Sequence, residues 1–181
     1  MDIEKKMGEI GKKINDIKNM PLKNSNRKNY DKVGLVHDLE YLVGQLEYFY
    51  DKIMPSQTNM PNTSYYHLKS NPREHQIVYV NLTRGFPKEL FGGHYCYIFK
   101  KYNDKYIVIP ATSVDSPAND PIQDFEIDIS VKDLPNNMRL NLANIRGIDL
   151  QRIYGNKGIY DVNTDKKYIT DEIYKKLFNI V

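Results

Sequence analysis

Tryptophan is absent from this chain of 181 residues, and cysteine occurs once, as Cys96. A single thiol excludes an intrachain disulfide framework and offers no zinc-ligand spacing. Its place between Tyr95 and Tyr97 in a strand-like run predicts a packed thiol. Apolar runs long enough to span a bilayer are missing too. Residues 1–20 contain lysines, yet acids and lysines interrupt every apolar stretch, so the unbroken apolar centre of a secretory signal is lacking. The expected protein is soluble and cytoplasmic, with no membrane partner. His37, His67 and His75 lack the spacing of metal ligands, and no metal or other cofactor is expected.

What is present is a globular composition, 40% hydrophobic and 27% charged, with a net charge of +3. The charge is uneven: residues 1–30 hold eight Lys/Arg against four Asp/Glu, leaving 18 against 19 in the remainder. A basic N-terminal excess suits either a nucleic-acid arm or the solvated face of lysine-rich amphipathic helices.

Periodicity divides the chain. Ile3, Met7, Ile10, Ile14 and Ile17 recur at helical spacing and predict a helix ending near Pro21. Val36, Leu39, Val43, Leu46, Tyr50 and Ile53 repeat the pattern up to Met54-Pro55, so residues 1–54 are expected to form a helical extension. Its apolar stripes need a partner, which is each other, the following domain or another chain. Residues 55–72 contain Pro55, Pro61 and Pro72 among Asn, Thr and Ser, the composition of a linker. From residue 73 the period shortens to that of strands. Residues 76–82, 94–100, 105–109, 125–129 and 138–142 are short runs rich in Val, Ile, Tyr and Phe, separated by turn-formers. Asn103-Asp104 reads as a hairpin turn. Thr170 is the expected cap of a closing helix that presents Ile173, Leu177 and Ile180. The fold class is therefore α+β: a compact barrel or sandwich over residues 73–181, preceded by helices.

Four stretches, in order, resemble the MazF/PemK family of mRNA-cleaving toxins. His75-Gln76-Ile77-Val78-Tyr79-Val80-Asn81-Leu82 is similar to the family's "IVxVDLG" first strand. Glu89-Leu90-Phe91-Gly92-Gly93-His94-Tyr95 resembles its "GSELSGPHY" loop and second strand. Pro110-Ala111-Thr112-Ser113 matches "P-x-T-S", and residues 144–153, Asn-Ile-Arg-Gly-Ile-Asp-Leu-Gln-Arg-Ile, resemble "QIRTIDKxRI". The resemblance implies an SH3-like β-barrel with a C-terminal helix, a homodimer that cleaves single-stranded RNA and is held inactive by a cognate antitoxin protein. Much of the family carries an arginine in a "GGxRP" motif, where this chain has His94 and Tyr95.

Metal-free cleavage of RNA to a 2′,3′-cyclic phosphate and a 5′-hydroxyl needs a base for the 2′-hydroxyl, an acid for the leaving oxygen, and a donor or cation for the phosphorane. His94 suits either proton-transfer task, because imidazole titrates near neutrality. Thr112 and Ser113 can donate to phosphate oxygens, Arg84 can supply a cation, and Glu89 can orient His94 or Arg84. Tyr95 can stack on an unpaired base, as can Tyr65 and Tyr66, and Arg146 can bind phosphate. Each has a structural alternative: turn chemistry for Thr112-Ser113, ion pairs with Asp149 or Asp133 for Arg146 and Arg152, sheet cover for the tyrosines. The same barrel with an eroded site would instead be a nucleic-acid or protein binding module.

Overall fold

The computed structural model describes residues 2–19, 32–48, 50–51, 71–83, 89–103, 105–114 and 122–179. The chain divides into two compact units, Met1–Glu47 and Tyr48–Val181. The expected linker falls outside the described residues apart from Asn71 and Pro72. Both of these belong to the sheet's packing: Lys101 Nζ reaches Asn71 Oδ1 at 2.6 Å and the Pro72 carbonyl at 3.3 Å. Among the described residues no helix is long and apolar enough to cross a membrane.

The first unit contains α1 (Ile3–Asn19) and most of α2 (Lys32–Tyr48), in line with the two helical stripes. Asp2 starts α1, its carboxylate accepting from Lys5 N at 3.2 Å, so one of the amides left open by the first turn is satisfied.

The second unit is a strongly curled antiparallel sheet with a helix at its end. Its strands are β1 (Gln76–Asn81), β2 (Gly93–Tyr102), β3 (Lys105–Val114), β4 (Glu126–Ile129), β5 (Asn137–Asn141), β6 (Arg146–Asp149) and β7 (Tyr160–Asp161). Six follow the order β4-β5-β3-β2-β1-β7, and β6 pairs with β3 off that path. Two local features bend it. The β2–β3 register slips between Ile98 and Lys100, making Phe99 the extra residue of a bulge, which raises the local twist. Along its other edge β3 changes partner, from β6 at Lys105–Val108 to β5 at Ala111–Val114. Pro110, which has no N–H, sits in the gap between the two, where no partner strand asks for a donor. The hairpin turn between β2 and β3 has Asn103 at φ 51°, as the turn chemistry predicts.

Each face of the curled sheet has its own core. On one face Ile77, Tyr97, Ile109, Ala111, Ile127, Met138 and Leu140 pack with Ile169 and Ile173 of the closing helix α3 (Lys166–Phe178). On the other Val78, Val80, Cys96, Ile98, Tyr106 and Val108 pack with Ile148, Leu150 and Ile153. Bridges Val131↔Val162 and Val80↔Ile153 draw the curled edges together on either side. Cys96 is the packed thiol expected, and burial pushes its pKa up to about 12.

Three expectations need correction. Thr112 and Ser113 lie within β3 rather than after it, because β5 pairs with the strand through Val114. The cap of α3 is Asp165, whose carboxylate accepts from Tyr168 N at 2.9 Å. Thr170 is instead one turn inside, donating to the Lys166 carbonyl. Of the apolar residues expected on that helix, Ile173 is buried, Leu177 is exposed, and Ile180 lies outside the described residues.

Candidate functional site

The sheet face that carries Val78 of β1, Cys96 of β2 and Val108 of β3 is apolar along most of its length, and beyond Pro110 it is interrupted by the exposed Thr112 before the buried Val114. Alternation along the strands puts His94 on this face, opposite Val80 of β1. Thr112 shares it, two residues beyond Pro110. The last recorded β2–β3 pair is Tyr95↔Ala111, and one further step of that register sets His94 level with Thr112. Level residues of antiparallel strands have Cβ atoms about 4.5–5.5 Å apart. Across β3, Thr112 pairs with Arg139 of β5, and Arg139 pairs with Asp128 of β4. One row of the sheet therefore runs Asp128, Arg139, Thr112, His94.

His94 is half-buried, with Nε2 2.8 Å from the Phe91 carbonyl oxygen. A carbonyl only accepts, so this contact requires Nε2 to carry the hydrogen and leaves the Nδ1 lone pair for another proton. The backbone holding Phe91 is itself fixed: Leu82 N donates to the Gly92 carbonyl at 2.8 Å, and Gly92 sits at φ 79°, a conformation open mainly to glycine.

Arg146 enters from β6, level with Val108 and on the same face. Its guanidinium donates to the Leu82 and Asn144 carbonyls, each at 3.4 Å, and Arg152 donates to the Asn81 carbonyl at 3.5 Å. Neither arginine has a carboxylate partner among the described residues, so the pairing with Asp149 or Asp133 is not what they do. Two cations without carboxylate partners thus gather at the end of β1, joined to His94 through Leu82 and Gly92. The Arg146 charge reaches Cys96, whose pKa it opposes burial in raising.

Arg139 differs. It is 5% exposed, with Nε and Nη2 donating to both oxygens of Asp128 at 2.7 and 2.9 Å and Nη1 3.7 Å from Glu126. Sequence reasoning passed over this trio. The signal was available in the period of two: Glu126-Ile127-Asp128-Ile129 and Met138-Arg139-Leu140-Asn141 alternate, placing all three charges on the face opposite the apolar residues.

The other expected site residues are dispersed. Tyr95 points to the opposite face, in a tyrosine group with Tyr79 (ring centroids 5.0 Å), Tyr160 (5.9 Å) and, through Tyr79, Tyr154 (5.5 Å). Burial, and then the Tyr160 hydroxyl beside it, raise the Tyr95 phenol above its ordinary pKa. Ser113 shares that opposite face by alternation and is exposed, level with Met138. Glu89 is exposed next to Leu90, whose N–H donates to Asn144 Oδ1 at 3.3 Å. Arg84 lies outside the described residues. The structure thus places His94, Thr112 and Arg146 on one face of the sheet, with Arg139 beside Thr112, and sets Tyr95 and Ser113 on the other.

Chemically, the assembled face offers a proton acceptor of fixed tautomer, a hydroxyl donor and two guanidinium groups. No protein-family model matches the chain, and no curated protein matches it.

Proposed function

We propose that residues 71–181 are an SH3-like barrel of the MazF/PemK type that cleaves single-stranded RNA by metal-free transesterification. The observation that carries this reading is the shared face: His94, with Nδ1 lacking a hydrogen-bond partner among the described residues, and Thr112 on neighbouring strands, with Arg146 on the same face and bonded to the Leu82 carbonyl at the end of β1. The four motifs of the sequence supply the family, and this face supplies groups for its chemistry.

In the proposed reaction His94 Nδ1 takes the proton of a ribose 2′-hydroxyl. The 2′-oxygen then forms its bond to the adjacent phosphorus as the bond to the 5′-oxygen breaks, and the departing oxygen takes a proton from solvent. The imidazolium returns its proton to solvent, which leaves a 2′,3′-cyclic phosphate and a 5′-hydroxyl. Thr112 donates to a phosphate oxygen, and Arg146 and Arg152 offset the charge of the phosphorane. Arg139 is already neutralised by Asp128 and Glu126, so its part is to tie β5 to β4 behind Thr112.

A second reading, a binding module without catalysis, is favoured by the tyrosine group around Tyr95, which could stack on unpaired bases with no chemistry on that face. End-group analysis separates the two. A labelled single-stranded RNA of mixed sequence, incubated with the full chain and a chelator, should yield cyclic-phosphate and 5′-hydroxyl ends. Bound but intact RNA supports the binding module, and 5′-phosphate ends overturn the transesterification.

A further inference from the structure

The apolar residues of α1 and α2 recur at alternating steps of four and three: Ile3, Met7, Ile10, Ile14 and Ile17 on the first, Val36, Leu39, Val43 and Leu46 on the second. A mean step of 3.5 is the repeat of a helix-to-helix seam, and Val alternating with Leu on α2 is the pattern of two-stranded parallel seams. The described residues of the chain itself leave these stripes uncovered, with Met7 63%, Ile10 51%, Val43 57% and Leu46 50% exposed.

The charges beside the stripes are of opposite sign. Lys6 and Lys13 flank that of α1, and Glu40 and Glu47 flank that of α2, one heptad apart in each case. Setting Met7 level with Val36 in a parallel pair brings Ile10, Ile14 and Ile17 level with Leu39, Val43 and Leu46. In that register Lys6 faces Glu40 and Lys13 faces Glu47 across the seam, the g-to-e pairing of parallel coiled coils. Like-with-like pairing loses this: α1 on α1 sets Lys13 against Lys18, and α2 on α2 sets Glu47 against Leu42. Lys13, Glu40 and Glu47 have no ion-pair partner among the described residues, and Lys6 has only an exposed pair with Glu9, which exchanges at little cost.

We propose that α1 of one chain docks in parallel on α2 of a second copy, and reciprocally, so that two chains associate through a pair of lysine-to-glutamate seams. The interface is made by the N-terminal unit alone and stands independently of the RNA-cleaving reading.

Sedimentation equilibrium of the full chain tests it, with circular dichroism confirming the fold of each variant. The wild type should dimerise. Lys6→Glu/Lys13→Glu should associate roughly a hundredfold more weakly, because opposite charges at both seams become like charges, and so should Glu40→Lys/Glu47→Lys. An equimolar mixture of the two should recover wild-type association, since each reversed α1 then meets a reversed α2. The chain with all four changes should dimerise like the wild type. A monomeric wild type, a dimer indifferent to these charges, or a mixture that stays monomeric overturns the proposal.

Discussion

Arg139 brings a charge into the sheet where little water reaches it, and such a charge is tolerated only with good partners. Asp128 meets it with two hydrogen bonds, and Glu126 adds a third oxygen at 3.7 Å. Removing the arginine leaves two carboxylates side by side with no cation between them. Arg139→Met should therefore cost about 3 kcal/mol of stability, read from urea unfolding. Asp128→Asn should cost less, because Glu126 remains. A loss below about 1 kcal/mol for Arg139→Met would mean that water already solvates the pair. At this scale the sequence was partly legible. His94 stood out because Gly92-Gly93 precede it and imidazole is the side chain suited to proton transfer at neutral pH. Tyr95 could not be told from it by motif, yet a strand sends neighbouring side chains to opposite faces, so the two cannot share one site surface. For Arg146 and Arg152 the sequence left phosphate binding and ion pairing both open, and the fold aims them at the carbonyls that end β1.

Among the elements, the joint between the start of β1, the end of β2 and the start of α3 carries a pH dependence. Glu74 accepts from Lys166 Nζ at 2.8 Å and lies 3.7 Å from Lys100 Nζ. The Lys166 hydrogen bond, against the opposing effect of burial, holds its carboxyl below the usual value of 4.5. His75 is held below 6.5 by burial and by the Lys166 charge, while its Nδ1 contacts the Tyr97 hydroxyl at 3.1 Å. Both folded-state pKa values are lowered, so the unfolded chain binds more protons in each window and stability is lost as pH falls. The His75 contribution is complete above about pH 6.5 and is lost as pH falls through its lowered pKa; the Glu74 contribution follows below about 4.5. The thermal midpoint should decline in that order. His75→Asn should remove the first decline alone, because asparagine tolerates the φ of 67° found there. A midpoint that holds level between pH 7 and about 5 would contradict the assignment to His75. Five of the seven strands were legible from alternation, while β6 and β7 were not: four residues containing Gly147, and two residues alone, carry too little period to read. Thr170 and Asp165 are both competent caps, and the choice is made by Ile169, which is fully buried and so requires the helix to begin before it.

For the whole molecule, the two compact units follow the division suggested by the sequence: two apolar helical stripes before residue 48, with the lysine excess confined to residues 1–30, and a curled sheet after it. The change of periodicity made this division legible. Curling was not, since it depends on the bulge at Phe99 and on the partner exchange at Pro110, neither of which alternation reveals. That exchange sets β5 beside Thr112, on the face that also carries His94. The central claim is the proposal that His94 acts on RNA by proton transfer while Thr112 donates to the phosphate. Its most direct test is single-turnover cleavage of mixed single-stranded RNA in excess EDTA by the wild type, His94→Ala and Thr112→Ala. The account predicts cleavage by the wild type, a rate lower by roughly a hundredfold or more for His94→Ala with unchanged circular dichroism, and a smaller loss for Thr112→Ala. Wild-type rates from His94→Ala, or cleavage that disappears in EDTA and returns with magnesium, would contradict it.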